Sequence, residues 1–151
     1  MTEIQVLPPD TIELGLGCHG EPGLRQISPI PSPESLTKSM IDLLTDTTDP
    51  DRSFIPFSSS KINEVILLVN SSGSTSDEVL ARFAELAVVE LERKGMKVRR
   101  LTLGPLVTSL KQSGFGFTVW RLPGLDETGI LSKDEALKCW DRKVQVVAWR
   151  Q

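Results

Sequence analysis

The sequence holds one histidine, His19, and two cysteines, Cys18 and Cys139, in 151 residues. Two cysteines so placed give no metal-ligand spacing and no disulfide framework, so neither a metal nor a covalent staple is expected, and a reducing cytosol is the default compartment. No long apolar run is present. The longest, Val65 to Val69, is far too short to cross a bilayer, and the start Met1-Thr2-Glu3-Ile4 lacks the basic and apolar regions of a secretory signal. A cytoplasmic protein with no membrane partner is expected. A dense Lys/Arg block is also missing, and the formal charge is −3. Nucleic acid is thereby excluded as the main partner, because neutralising phosphates needs a concentrated basic surface. The small cluster Lys94, Lys97, Arg99 and Arg100 reads as a solvated helix end running into a strand.

The hydrophobic and charged fractions, 39% and 25%, are those of an ordinary globular chain, and the length fits one domain over residues 1–151. Thr11 to Gly17 alternates with period two, the mark of a strand, and runs into Cys18-His19-Gly20. Gly20, Pro22 and Gly23 then supply a turn. Ser32 before Pro33, with Leu36, Met40, Ile41, Leu43 and Leu44 at helical spacing, predicts a helix from about Pro33 to Leu44. Thr45 to Ser60, rich in Thr, Asp, Ser and Pro, reads as an exposed connection. The run Glu64 to Asn70 predicts a strand covered on both faces, in the middle of a sheet. A long helix follows, with Val79, Leu80, Phe83, Leu86, Ala87 and Leu91 at its apolar positions, ending at Lys94-Gly95. Strands are predicted over Met96–Leu103, Phe115–Leu122 and Val144–Trp149, and a helix over Ser132–Trp140. This order predicts an α/β fold, a layered single domain with a mixed β-sheet flanked by helices.

His19 is the one side chain able to do imidazole chemistry near neutral pH. A lone histidine is often structural, but a place between a strand end and a glycine-rich turn exposes it on a rigid support. Glu21 in the same loop can orient the imidazole or act as acid or base, or simply be solvated. Cys18 precedes His19, so along a strand its side chain points to the opposite face and a Cys/His dyad is not expected. The loop Asn70 to Ser76 opens a helix and offers amides to an anion, yet it lacks the P-loop lysine, which favours ordinary N-capping. Thr108, Ser109 and Lys111 read as a turn packing the sheet edge. Trp120, Trp140 and Trp149 read as core or interface residues.

Three segments, Ile12 to Gly23, Leu67 to Thr75 and Thr108 to Phe115, taken in order, resemble the C-terminal half of the substrate-binding domain of the dihydroxyacetone kinase family. The most specific is Gly17-Cys18-His19-Gly20-Glu21-Pro22-Gly23. The resemblance implies that His19 forms a covalent hemiaminal with the carbonyl carbon of a small ketone, and that Gly17, Gly20 and Glu21 line the substrate. In that family a preceding lobe adds a glycine-rich loop and an acid/base aspartate, and phosphate comes from a separate nucleotide domain or a phosphocarrier. The resemblance therefore implies no cofactor bound by this chain, and an incomplete kinase that needs a complementary lobe or subunit. A sheet edge left bare by that lobe predicts a homodimer. Departures from the pattern are Cys18 in place of an aliphatic residue, Ser71-Ser72 in place of an Asn-Leu-like pair, and Lys111-Gln112 with Gly116. Two other readings stand beside this one. His19 serves a repurposed small enzyme as base or nucleophile on another carbonyl metabolite, or the chain is a non-catalytic ketone sensor.

Overall fold

The computed structural model describes residues 6–17, 21–51, 53–58, 61–109, 112–124, 129 and 131–145. The chain divides into two compact units, residues 1–36 and 37–151.

In the first unit the alternating segment does form a strand, β1, but only over Ile12–Leu14. It stops at Gly15, whose φ of +78° turns the chain out of the extended region and favours a residue without a Cβ. β1 pairs antiparallel with β2, Arg25–Ile27, in a separate two-stranded sheet. No pattern along the chain marks β2, because three residues with two polar side chains carry no hydrophobic period. Beyond the pair, the Asp10 carboxylate accepts the Ile30 amide at 3.2 Å.

Helix α1 spans Pro33–Thr45, with Ser32 accepting the Ser35 amide at 3.2 Å in the predicted capping position. Strand β3, Asn63–Ser71, is the centre of a three-stranded sheet of order β4-β3-β5. Helix α2, Asp77–Arg93, carries the chain to β4, Met96–Gly104, which lies parallel to β3. Strand β5, Phe115–Arg121, returns antiparallel on the other side of β3. The sheet is thus mixed, and α3, Lys133–Trp140, follows it. The fold is α/β as predicted. Of the predicted last strand, Val144 and Gln145 lie outside any strand, and 146–149, Trp149 among them, fall outside the described residues.

The boundaries follow from capping chemistry. Ser76 caps α2 by accepting the Val79 amide, and Gly95, at φ +75°, closes it by donating to the Glu92 carbonyl at 2.9 Å. Ser132 and Glu135 form a reciprocal capping box at the start of α3.

The core is not symmetric about the sheet. Val65, Leu67 and Val69 point one way along β3, and all are fully buried on the side where α2 packs, as the 4.2 Å stacking of Phe83 on Phe115 marks. On the other side Ile66 is buried with Leu122, Ala136 and Leu137, and Trp140 packs on that cluster, 5.9 Å from Trp120. Leu68, two residues on, is only half-buried. Cover on both faces, predicted for the whole strand, therefore extends to one end of it. The reason is length: eight helical residues of α3 span about 12 Å, against about 30 Å for the nine residues of β3.

Ion pairs tie α3 to this face. Glu64 on β3 receives Arg99 at 3.0 Å and Lys133 at 2.9 Å, and Arg100 forks onto Asp141. Arg99 stands where the β3–β4 register shifts, between Val65 and Ile66, so the extra residue of the bulge aims its guanidinium at Glu64. Burial pushes the Glu64 carboxyl up, but Lys133 and Arg99 outweigh it and leave it below the usual glutamate value of 4.5. A carboxylate depressed by folding contributes stability above its unfolded value and loses it as pH falls through the lower, folded one. The melting temperature is therefore expected to fall as pH drops below 4.5, and Glu64→Gln to flatten that acid limb. Equal acid slopes in the two proteins, by calorimetry, would exclude Glu64 as a source.

Candidate functional site

The loop predicted to carry the chemistry joins β1 to β2. Its ends are fastened by backbone: the Leu24 amide donates to the Leu14 carbonyl at 2.7 Å, and the Gly17 amide to the Glu21 carbonyl at 3.1 Å. A side chain fastens it again. The Glu13 carboxylate on β1 accepts the Gly23 amide at 2.6 Å. Both glycines matter for space. A Cβ on Gly17 would lie 2.7 Å from Glu21 Cβ, and one on Gly23 would lie 2.7 Å from Glu13 Oε1 and 2.9 Å from the Leu14 carbonyl oxygen. Such separations are closer than non-bonded atoms tolerate, so at both positions the loop closes only around a residue without a side chain.

Of the four residues predicted to form the site, the structure brings Gly17 and Glu21 together through that 3.1 Å hydrogen bond. His19 and Gly20, with Cys18, lie outside the described residues. In sequence, His19 is the midpoint of the segment that the Gly17–Glu21 bond closes. Glu13 was missed as part of this arrangement. Its signal is the strand alternation itself, which puts a charged residue beside a tight glycine turn, but a glutamate on a strand reads first as a solvated one.

In the second unit, parallel β3 and β4 end on the same side of the sheet, and antiparallel β5 begins there. Loops outside the carboxyl ends of parallel strands are the usual place for ligands in α/β sheets. Asn70, at the end of β3, organises them. Its side-chain oxygen accepts the amides of Leu106 and Val107 at 2.9 and 2.7 Å, and its nitrogen donates to the Val107 carbonyl at 2.8 Å. Ser72 exchanges backbone bonds with Gly114 and Ser109, and the Thr75 hydroxyl donates to the Gly114 carbonyl at 2.7 Å. Gly73 turns at φ +121° while its amide donates to the Ser71 hydroxyl at 3.0 Å. The amides of Ser72 and Gly73 thus serve internal acceptors, and Ser76 caps α2, as the capping reading of this segment predicted. Ser109 belongs to the same brace, and Lys111 falls outside the described residues.

Comparison with known proteins agrees with the motifs. The chain is 36% identical to a dihydroxyacetone kinase of Komagataella pastoris over 146 residues, which is 96% of this chain and 23% of that enzyme. It is 32% identical to the human triokinase/FMN cyclase over 143 residues, 95% of this chain and 22% of that protein. It therefore spans less than a quarter of the length of these relatives. A solved structure described as regulation of the dha operon of Lactococcus lactis superposes with a TM-score of 0.67 at 28% identity, covering 79% of this chain and 35% of that one. A family model for the Dak1 domain matches residues 2–148. With nearly its whole length inside that match, the chain belongs to the Dak1 domain family.

Proposed function

We propose that this chain is a substrate-handling domain related to dihydroxyacetone kinase, which engages a small carbonyl compound through His19 and relies on a complementary lobe or subunit for phosphoryl transfer. The observation that carries the reading is the 36% identity to a dihydroxyacetone kinase across 96% of the chain, with the single histidine inside a loop held at both ends. The chemistry is an addition. A neutral imidazole nitrogen attacks the carbonyl carbon, the N–C bond forms as the C=O π bond opens, and the proton lost from the ring is taken up by the oxygen. The product is a hemiaminal with no leaving group. Tethering a ketone in this way fixes a terminal hydroxyl for transfer and discriminates against polyols that have no carbonyl. Gly17, Gly20 and Glu21 line the substrate in this reading. The phosphate donor is handled elsewhere, in keeping with the internal use of the Ser72 and Gly73 amides.

Incubation with dihydroxyacetone near neutral pH is expected to raise the intact mass by one whole ketone, with the modification mapping to His19 and lost in His19→Ala. Glycerol should give no shift. An unmodified wild-type protein at saturating ketone, or an adduct that persists in His19→Ala, would refute the proposal.

The likeness to a structure described as operon regulation favours a second reading, a ketone-sensing module without turnover. Adding a complementary kinase lobe with its phosphate donor separates the two. Phosphorylated dihydroxyacetone supports the first reading, and an adduct without product under every pairing supports the second.

A further inference from the structure

We infer that Glu13 is a positioning residue for the loop that carries His19, an inference that rests on the reading of His19 given above. Three observations meet at this side chain. Its carboxylate accepts the Gly23 amide at 2.6 Å, across ten residues of sequence. The same carboxylate fills the space where a residue with a Cβ at position 23 would stand, 2.7 Å from Oε1. Its backbone is itself fixed, because Glu13 pairs with Gln26 in the β1–β2 register.

The consequence for His19 follows from where the fastenings fall. The Gly17–Glu21 bond closes the segment around His19, and the Glu13–Gly23 bond holds the strand-proximal side of that segment to β1. The second bond thus adds a side-chain tie to β1 beside the backbone bond from Leu24 to Leu14. An amide bonded to a carboxylate is stronger than one bonded to a neutral acceptor, and its loss leaves a half-buried donor in search of water. Glu13 has no need to touch the ketone. It limits the set of loop shapes from which an imidazole at position 19 can reach a carbonyl carbon, which is the orientational part of the barrier.

The full chain in three forms, wild type, Glu13→Ala and Glu13→Gln, tests this with dihydroxyacetone as the probe. Two readouts are taken: the rate of adduct formation by intact mass, and hydrogen exchange of the Gly23 amide by NMR. Glu13→Ala is expected to slow adduct formation roughly tenfold and to deprotect Gly23. Glu13→Gln keeps the acceptor oxygen, so it is expected to stay within about threefold of wild type and to keep Gly23 protected. A Glu13→Ala protein with wild-type rate and wild-type protection overturns the inference, as does a Glu13→Gln protein as slow as Glu13→Ala. If wild type forms no adduct at all, the proposal about His19 falls. The Gly23 amide then judges Glu13 alone: deprotection in Glu13→Ala sustains its hold on the loop, and unchanged exchange overturns it.

Discussion

Truncation of Ile66 to alanine is expected to destabilise the protein by about 2–5 kcal/mol and to lower its melting temperature by roughly 10 °C. Ile66 is 1% exposed and lies on the face of β3 that α3 covers, against Leu122, Ala136 and Leu137. Deleting its side chain removes the apolar contacts that hold α3 to the sheet, and the short helix has few others with which to close the cavity. Leu68→Ala, on the same face but half-buried, is expected to cost under half as much. Thermal melts of the two variants decide the point. Equal losses would mean that α3 does not concentrate the packing at one end of the strand.

The second large effect is expected at Gly23. An added Cβ meets the Glu13 carboxylate and the Leu14 carbonyl oxygen at once. The side chain can swing away, but the carbonyl belongs to the β1 backbone and cannot. Gly23→Ala is therefore expected to open the loop and reduce formation of the His19 adduct by more than about tenfold. A thermal melt taken alongside separates loss of the adduct in a folded protein from loss of the fold. A Gly23→Ala protein that modifies at the wild-type rate would show that the loop tolerates a side chain there. A protein that fails to fold would show that the hairpin is needed for far more than the site.

The contrast between the two halves of the chain explains what was readable beforehand. Val65 to Val69, Val79 to Leu91 and the Ser132 cap carry strong hydrophobic or capping signals, and β3, α2 and α3 appeared within a few residues of their predicted limits. Those signals are local, and they come from burial and end chemistry that the sequence writes directly. β2 is different. Arg25, Gln26 and Ile27 form a strand because the Glu13 and Leu14 bonds bring them back to β1, and no pattern within the three residues states that. The candidate site divides the same way. The histidine motif was visible as a motif, whereas the work of Glu13 and of Asn70 depends on bonds across 10 and 37 residues, which a reading along the chain does not reveal.

The bulge at Arg99 also has a bearing on how the protein behaves in crowded solution. β4 is an outer strand of the sheet among the described residues, and a straight outer strand invites other chains to dock along it and seed fibrils. Here Lys97, Arg99 and Arg100 put three cations on nine residues, and the register shift bends the ladder. The bulge that seats Arg99 on Glu64 thus also helps to refuse an incoming strand.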